Sequence, residues 1–282
     1  MLDWVAAHSG YLRPLGEWNF QRVIVEGSHY RVELNGVPIL DADMAQVATE
    51  QGSAREGVAG SRQFTGSSRC RFGILAQGDG VRYRNLRVAE LGWESLFDGE
   101  SLAGWTRHNG TATYRVENGE IVGTTAEGSP NSFLCTEKSY RNFVLEFETK
   151  VHNRLNSGVQ LRSDVDPAQF GGRVYGPQVE IEKAPGEAGH IFSEATRRGW
   201  LSSKEDREDP EKRRAFRNGE WNHYRVEALG PRIRTWVNGQ PVGDIADQRS
   251  RQEGFLGLQV HSIGREAGPF EVRWRNLRIR AQ

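Results

Sequence analysis

The chain has 282 residues, and its 37 lysines and arginines balance its 37 aspartates and glutamates, so the formal net charge is zero. That balance gives no electrostatic support for nucleic-acid binding, and 37% hydrophobic against 26% charged residues is typical of a folded protein. No stretch approaches the roughly 20 apolar residues that span a bilayer, and residues 1–10 lack the basic and apolar regions of a signal peptide.

From Trp93 onward the sequence reads as short strands separated by Gly, Asn and Pro turns. Asn118-Gly119 and Asn238-Gly239 each lie between β-prone segments and predict tight hairpins. The predicted strands are Tyr114–Glu117, Glu120–Gly123, Phe143–Val151, Gly158–Ser163, Gly176–Glu182, His190–Ser193, Trp221–Leu229, Arg232–Val237, Phe255–His261 and Phe270–Ile279. The only helix-prone run, Lys204–Phe216, is dense in charge and contains Pro210. Many strands without crossover helices predict an all-β antiparallel sandwich or barrel and exclude parallel α/β folds.

Several motifs near the start of the chain recur near its end. Gly-Glu-Trp-Asn at 16–19 recurs at 219–222, Asn35-Gly36 recurs as Asn238-Gly239, and Asp41 recurs as Asp244, all at an offset of about 203. Arg-x-Arg-Asn-Leu-Arg at 82–87 recurs at 273–278, at an offset of about 191. The two offsets differ because the first copy contains extra residues. These fall in Thr49–Ser68, a stretch rich in Gly, Ser and Arg that we predict to be a surface loop.

Residues 93–215 have no earlier counterpart in this repeat. We therefore predict that residues 1–92 are a partial copy, resembling the C-terminal half of a domain, and that residues 93–282 form the complete domain. Half a sandwich leaves open sheet edges. Either the gene model begins late within a tandem protein, or the half-domain packs its edge against the full domain or a second chain. Self-association through residues 1–92 is thus one expectation.

The two cysteines, Cys70 and Cys135, lie in different repeats. A disulfide between them is one option, so cysteine usage does not fix the compartment.

Three of the predicted strands alternate between apolar residues and residues that bind ligands. Val159, Val179 and Leu258 represent the apolar side. The polar side carries Gln160 and Arg162 on the first strand, Gln178, Glu180 and Glu182 on the second, and Gln259 and His261 on the third. Antiparallel sandwiches often have one plainly solvated face. Here lysine is absent from all three strands, while carboxylates, amides, an arginine and a histidine converge, which favours a carbohydrate-binding groove. Trp200 either stacks on a sugar ring or covers the edge of the core.

Sequence motifs over essentially all of residues 93–282 resemble the 3-keto-disaccharide hydrolase domain family. They are Leu96-Phe-Asp-Gly99, Leu102, Gly104-Trp105, Asn156-Ser-Gly-Val-Gln-Leu-Arg162, Tyr175-Gly-Pro-Gln-Val-Glu-Ile-Glu182, Gly199-Trp-Leu201, Gly219-Glu-Trp-Asn222, Gly257-Leu-Gln-Val-His261 and Arg275-Asn-Leu-Arg278. The resemblance implies a concanavalin A-like jelly-roll sandwich, action on glycosides oxidised to a ketone at C3, and a periplasmic or extracellular location. The first copy departs from the family pattern. It has Gln77-Gly78-Asp79 in place of Gln259-Val260-His261 and lacks the glutamate strand, so we expect no activity from it alone.

A ketone at C3 acidifies the proton on C2, so a base there can drive elimination of the C1 substituent, and water then adds back. We expect Glu180 or His261 to be the base, Arg162 to stabilise the enolate, and Glu182 or His261 to protonate the leaving group. Residues expected to hold the sugar are Gln160, Gln178, Gln259 and Trp200. Alternatively, Glu180, Glu182 and His261 hold a divalent metal ion that polarises the ketone.

Two other classes of function stay open from the sequence. A non-catalytic carbohydrate-binding module would bind sugar without turnover, with Trp200 or another aromatic side chain dominating. A scaffold domain would use the same face to bind another protein.

Overall fold

The structure is a computed structural model that describes residues 5–47, 73–74, 80–168, 172–265 and 268–282. It divides into two compact units, Met1–Leu91 and Gly92–Gln282. The predicted loop Thr49–Ser68, the cysteine Cys70 and the motif Gln77-Gly78-Asp79 lie outside the described residues. In the described part of the chain, no helix is long and apolar enough to cross a membrane.

The second unit is an antiparallel jelly-roll sandwich of two sheets. The strands of this unit are β4 Glu94–Ser95, β5 Trp105–His108, β6 Thr113–Glu117, β7 Glu120–Thr124, β8 Ser132–Thr136, β9 Phe143–Val151, β10 Ser157–Val165, β11 Val174–Ile181, β12 Ile191–Glu194, β13 Gly199–Trp200, β14 Asn222–Leu229, β15 Arg232–Val237, β16 Gln240–Ala246, β17 Phe255–Val260 and β18 Glu271–Ala281. The first sheet has the order β13-β12-β11-β10-β17-β8-β5, and the second has the order β16-β15-β14-β9-β18-β7-β6, with β4 added beside β18.

The core of the sandwich lies between the two sheets. The inward side chains of β10, β11 and β17, among them Val159, Val179 and Leu258, are almost fully buried against β9, β14 and β18 of the facing sheet. Strand alternation thus puts the apolar residues of the site-bearing strands in the core and leaves their polar residues on the outer face of the first sheet.

The charged run Lys204–Phe216 folds as a short helix, Lys204–Glu208, followed by a 3-10 turn at Lys212–Arg214. The Ser203 hydroxyl accepts the amide proton of Asp206 and caps the helix. The helix ends before Pro210, as expected for a residue that cannot continue a helix.

The first unit contains an antiparallel three-stranded sheet of β1 Gln21–Glu26, β2 His29–Leu34 and β3 Val37–Asp43. The Asn35 turn in this sheet repeats the hydrogen bonds of the Asn238 turn. The amide nitrogen of each asparagine donates to a second asparagine oxygen at 2.8 Å, on Asn19 and Asn222 respectively. Both turn asparagines adopt positive φ, +52° and +51°. The repeated sequence therefore has a repeated geometry, whereas the assignment of residues 1–92 as half of a domain stays a prediction.

The sheet of the first unit exposes apolar side chains such as Val23 and Val25. Self-association through this unit stays a prediction. In the second unit, Cys135 is a buried free thiol on β8.

Candidate active site

The strand registers bring four polar side chains onto one face of the first sheet. Gly158 on β10 lies opposite Glu180 on β11 and opposite Gln259 on β17. One step along, Gln160 lies opposite Gln178. Residues directly opposite each other, or two apart on a strand, share a face. Four members of the predicted set, Gln160, Gln178, Glu180 and Gln259, are therefore neighbours.

A directed chain of hydrogen bonds runs across this face to the carboxyl group of Glu180. The Ser163 hydroxyl donates to Gln160 Oε1, Gln160 Nε2 donates to Gln178 Oε1, and Gln178 Nε2 donates to Glu180 Oε1, each at 2.7 Å. The Asn156 amide donates to the other oxygen, Glu180 Oε2, at 3.2 Å. We call this chain the glutamine relay. Because Gln160 and Gln178 each accept at Oε1 and donate at Nε2, these bonds polarise one another in the same direction.

The glutamine relay needs a glycine at position 158. A Cβ atom there would lie 2.5 Å from Gln178 Cδ, so any side chain would displace Gln178. Glycine therefore leaves room for the Gln178 side chain to lie over β10 while it donates to Glu180 on its own strand.

Glu180 is the most strongly perturbed acid of this face. Its side chain is almost completely buried, and burial raises its pKa to about 8. The hydrogen bonds from Gln178 and Asn156 act in the opposite direction but do not overcome burial, and the nearby carboxylates of Glu194 and Glu182 raise the pKa further. Glu180 is therefore mostly protonated at neutral pH and can donate a proton.

Glu194, at the end of β12, is a site residue that sequence reasoning missed. It lies opposite Gly176, on the same face as Glu180, and burial raises its pKa. Asn131 Nδ2 donates to Glu194 Oε1 at 3.3 Å. The sequence signal that could have identified Glu194 is the alternation of β12. The strand continues one residue beyond the predicted end at Ser193, which places Glu194 on the same face as Phe192.

His261 and Glu182 lie at the partly exposed margin of the site. The ring nitrogen His261 Nδ1 is 2.7 Å from the carbonyl oxygen of Ser262. Because a carbonyl only accepts, Nδ1 carries the proton and the neutral ring has Nε2 as its basic atom. Glu182 Oε2 accepts the amide proton of Glu187 at 3.0 Å. When His261 is protonated, its positive charge lowers the pKa of Glu194, so the side chains of His261 and Glu194 are close in space.

Trp200 lies at the edge of the same sheet, opposite Phe192. The two rings meet edge to face at 5.3 Å, and the guanidinium of Arg207 lies 4.6 Å from the Trp200 ring centre. One face of the indole is therefore already covered. A sugar that stacks on Trp200 would use the other face or displace Arg207.

Arg162 departs from its predicted position. Its φ is +48°, and the register of β10 shifts between Gln160 and Ser163. This bulge puts the Ser163 hydroxyl beside Gln160 and turns the Arg162 guanidinium to the carbonyl oxygen of Gly230, at 2.6 Å. Arg162 is four positions from Gly158, about 13 Å along an extended strand. The structure therefore does not bring Arg162 together with Glu180.

The donors around Glu180 do not favour a metal ion at Glu180, Glu182 and His261. Both oxygens of Glu180 already accept amide protons, burial favours the protonated acid, and Glu182 is bonded to a backbone amide. A metal ligand would have to be a deprotonated carboxylate. Within the part of the chain that the structure describes, no three His, Cys, Asp or Glu side chains are arranged to hold a metal ion.

His190, next to Glu180 in the sheet, is fully buried, and neither ring nitrogen has a hydrogen-bond partner among the described residues. Burial lowers its pKa to about 4, so the folded protein keeps this ring neutral. Below pH 6.5 the unfolded chain binds a proton that the folded chain does not, so stability falls as the pH drops from 6.5 towards 4.

We expect His190→Leu to remove this acid sensitivity. In the wild type, acidification lowers the free energy of unfolding by about 3 kcal/mol through His190, because its pKa is about 2.5 lower in the folded than in the unfolded chain. Urea unfolding of both proteins at pH 7 and pH 4.5 measures it. An equal loss of stability on acidification in the two proteins would show that His190 does not cause it.

The sequence model of the 3-keto-alpha-glucoside-1,2-lyase-like domain matches residues 4–89 and 92–280 of this chain. Comparison with curated protein sequences gave no match.

Solved structures with a similar fold align with about two thirds of the chain. A glycosyl hydrolase candidate from Parabacteroides distasonis ATCC 8503 is 20% identical, with a TM-score of 0.48, over 68% of this chain and 94% of that one. The carbohydrate-binding module CBM66 from Bacillus subtilis is 21% identical, with a TM-score of 0.45, over 63% and 96%. A Bacillus subtilis protein of unknown function with a galectin-like fold is 8% identical, with a TM-score of 0.49, over 67% and 94%. None of these likenesses is close enough to carry an argument about activity.

Proposed function

Because the chain belongs to the 3-keto-alpha-glucoside-1,2-lyase-like domain family, we propose that its second unit cleaves glycosides that carry a ketone at C3. The reaction removes the C2 proton, breaks the C1–O bond and then adds water across the new C1=C2 double bond. The single observation that carries this proposal is the buried Glu180 carboxyl group, protonated at neutral pH, with the partly exposed His261 close to the neighbouring Glu194. Such a pair supplies a protonated acid and an imidazole base.

In the proposed mechanism His261 Nε2 takes the C2 proton, and Glu180 gives its proton to the departing C1 oxygen. The hydrogen bond from Nδ1 to the Ser262 carbonyl orients the imidazole and favours the imidazolium that forms. Glu180 lies on β11 and His261 directly follows β17, and β10 lies between these two strands, so their backbones are about 10 Å apart across the sheet and about 7 Å apart along it. That separation leaves room for one sugar ring between the two side chains.

The developing enolate oxygen needs a hydrogen-bond donor. Arg162 does not supply it, because its guanidinium is bonded to the Gly230 carbonyl. The amide of Gln259 is fully buried on this face, and neither its nitrogen nor its oxygen has a partner among the described residues. A buried amide without partners is costly, so a substrate oxygen that accepts from Gln259 Nε2 would relieve that cost.

Turnover of a 3-keto-glucoside tests the proposal against its alternatives. The protein is incubated with a 4-nitrophenyl 3-keto-glucoside and with the unoxidised 4-nitrophenyl glucoside, with and without a chelator, and released nitrophenol is followed. We expect release from the ketone alone, because only the ketone acidifies C2. Release from both sugars would indicate ordinary glycoside hydrolysis. Binding without release would indicate a carbohydrate-binding module.

A metal-assisted reaction is the outcome in which the chelator abolishes release from the ketone. A periplasmic or extracellular location stays a prediction from the family resemblance.

A further inference from the structure

A cavity of about 390 Å³ lies at the end of the sandwich where β14 turns into β15. It is lined by Arg141, Asn142, Gly230, Pro231, Gln248 and Gln252. None of these residues belongs to the face that carries Glu180.

Arg162 lies directly behind the wall of this cavity. Its Nη1 atom donates to the Gly230 carbonyl at 2.6 Å and is 3.4 Å from Gln252 Oε1, so it is bonded to two lining residues. The residue is 1% exposed, and its Nε and Nη2 atoms have no hydrogen-bond partner within the described chain. A buried guanidinium without an anionic partner costs several kcal/mol, so its surroundings favour an added negative charge.

A second positive charge adds to that of Arg162. Arg141 lines the cavity. Burial, and after it the charge of Arg141, lowers the pKa of Arg162 to about 10, which leaves Arg162 protonated at neutral pH. Two nearby acids are already engaged elsewhere: Asp164 pairs with Arg251 at 3.1 Å, and Asp247 pairs with Arg198 at 2.8 Å. Across the described ranges, no ion pair joins Arg141 or Arg162 to a carboxylate.

The amides around the cavity are held in fixed orientations. Asn142 Oδ1 accepts the amide proton of Gly230 at 2.9 Å. Gln252 Nε2 donates to the carbonyl oxygens of Asp247 and Ser250, which keeps its Oε1 directed at Arg162. A ligand in the cavity would therefore meet the Arg141 guanidinium and the Gln248 side chain, with the field of Arg162 behind them.

We propose that this cavity binds an oxyanion, a carboxylate or sulfate group that is free or carried by a sugar. Arginine is the side chain best suited to such groups because its planar fork donates two parallel hydrogen bonds. This site is independent of the proposed reaction at Glu180, so a failure of either proposal leaves the other standing.

Titration calorimetry of the full chain at low ionic strength tests the proposal, with sodium glucuronate, sodium sulfate and glucose as probes. We expect at least one anion to bind and glucose not to bind at this site. Tighter binding of glucuronate than of sulfate would identify an acidic sugar, and the reverse order would identify a free inorganic anion. Affinity should fall as sodium chloride is added, because salt screens the attraction.

Variants at the two arginines locate the binding site. We expect Arg141→Ala to weaken anion binding about tenfold, which corresponds to about 1.4 kcal/mol, and Arg141→Lys to restore most of it. Arg162→Met, checked for folding by its thermal unfolding, should weaken it further. Arg217→Ala is the matched control. This exposed arginine precedes β14, whereas the cavity residue Gly230 follows the other end of the same strand. The proposal is overturned if neither anion binds, or if Arg141→Ala and Arg217→Ala bind equally well.

Discussion

Glu180→Gln should lower cleavage of a 3-keto-glucoside by about 10²–10⁴-fold, because an amide cannot replace the proton donor in general acid catalysis. The same change should make the folded protein more stable at neutral and alkaline pH. Glutamine keeps one acceptor oxygen, which can take the hydrogen bond from Gln178, so the glutamine relay can persist, while its NH2 group replaces the oxygen that accepts the longer bond from Asn156. The main effect on stability is the removal of the buried acid that the protein must keep protonated.

The sign of the stability effect follows from the raised pKa of Glu180. The unfolded carboxyl group ionises near pH 4.5, whereas the folded one keeps its proton until about pH 8. The wild type therefore loses stability as the pH rises from 4.5 to 8, and the variant does not. At pH 7 the difference in free energy of unfolding is about 3 kcal/mol.

Turnover tests the predicted loss of activity, and urea unfolding tests the predicted gain in stability. Both are measured on the wild type and on Glu180→Gln between pH 4.5 and 8. Glu182→Gln is the matched control for stability, since this carboxylate lies two residues along and is partly exposed. A variant that keeps wild-type turnover would remove Glu180 from the mechanism. A stability difference that is the same at every pH would mean that the buried acid is not its source.

The second large effect is expected from breaking the glutamine relay. Gln178→Met removes the donor to Glu180 Oε1 while keeping a side chain of similar size. The lost hydrogen bond favoured the ionised carboxyl group, so the pKa of Glu180 should rise further. We expect turnover to fall about tenfold and its alkaline limit, where the acid ionises, to move up by about one pH unit.

Gln160→Met separates the relay from a direct contact with the sugar. Gln160 does not touch Glu180 but donates to Gln178 Oε1. If the relay orients Gln178, the Gln160 variant should shift the pH profile in the same direction by a smaller amount, with an unchanged Michaelis constant. A higher Michaelis constant with an unshifted pH profile would instead assign Gln160 and Gln178 to the sugar hydroxyls.

Strand alternation was sufficient to predict which face carries most of the site. The positions of Gln160, Gln178, Glu180 and Gln259 follow from a period of two, once β10, β11 and β17 are neighbours. Alternation could not place Arg162, because a non-glycine residue at positive φ leaves no mark in a hydrophobic pattern.

Two further features lay beyond sequence reasoning for physical reasons. Strand β8 was not predicted because all five of its residues are buried, and a strand buried on both faces shows no polar alternation. The surroundings of Glu180 and Glu194 come from segments distant in sequence. Asn131 donates to Glu194 across 63 positions, and Asn156 donates to Glu180 across 24.

The bulge in β10 also changes how aligned sequences should be compared. Before the bulge, even-numbered residues of the strand face Glu180, and after it the odd-numbered Ser163 takes that side. One strand thus serves two separate chemistries, an acid site at its first half and a cationic cavity at its second. A relative that lacked one residue between Gln160 and Ser163 would keep the serine on the Glu180 side by simple alternation, with no bulge to turn an arginine to the Gly230 carbonyl. Counting residues across that short interval would separate family members with the cationic cavity from those without it.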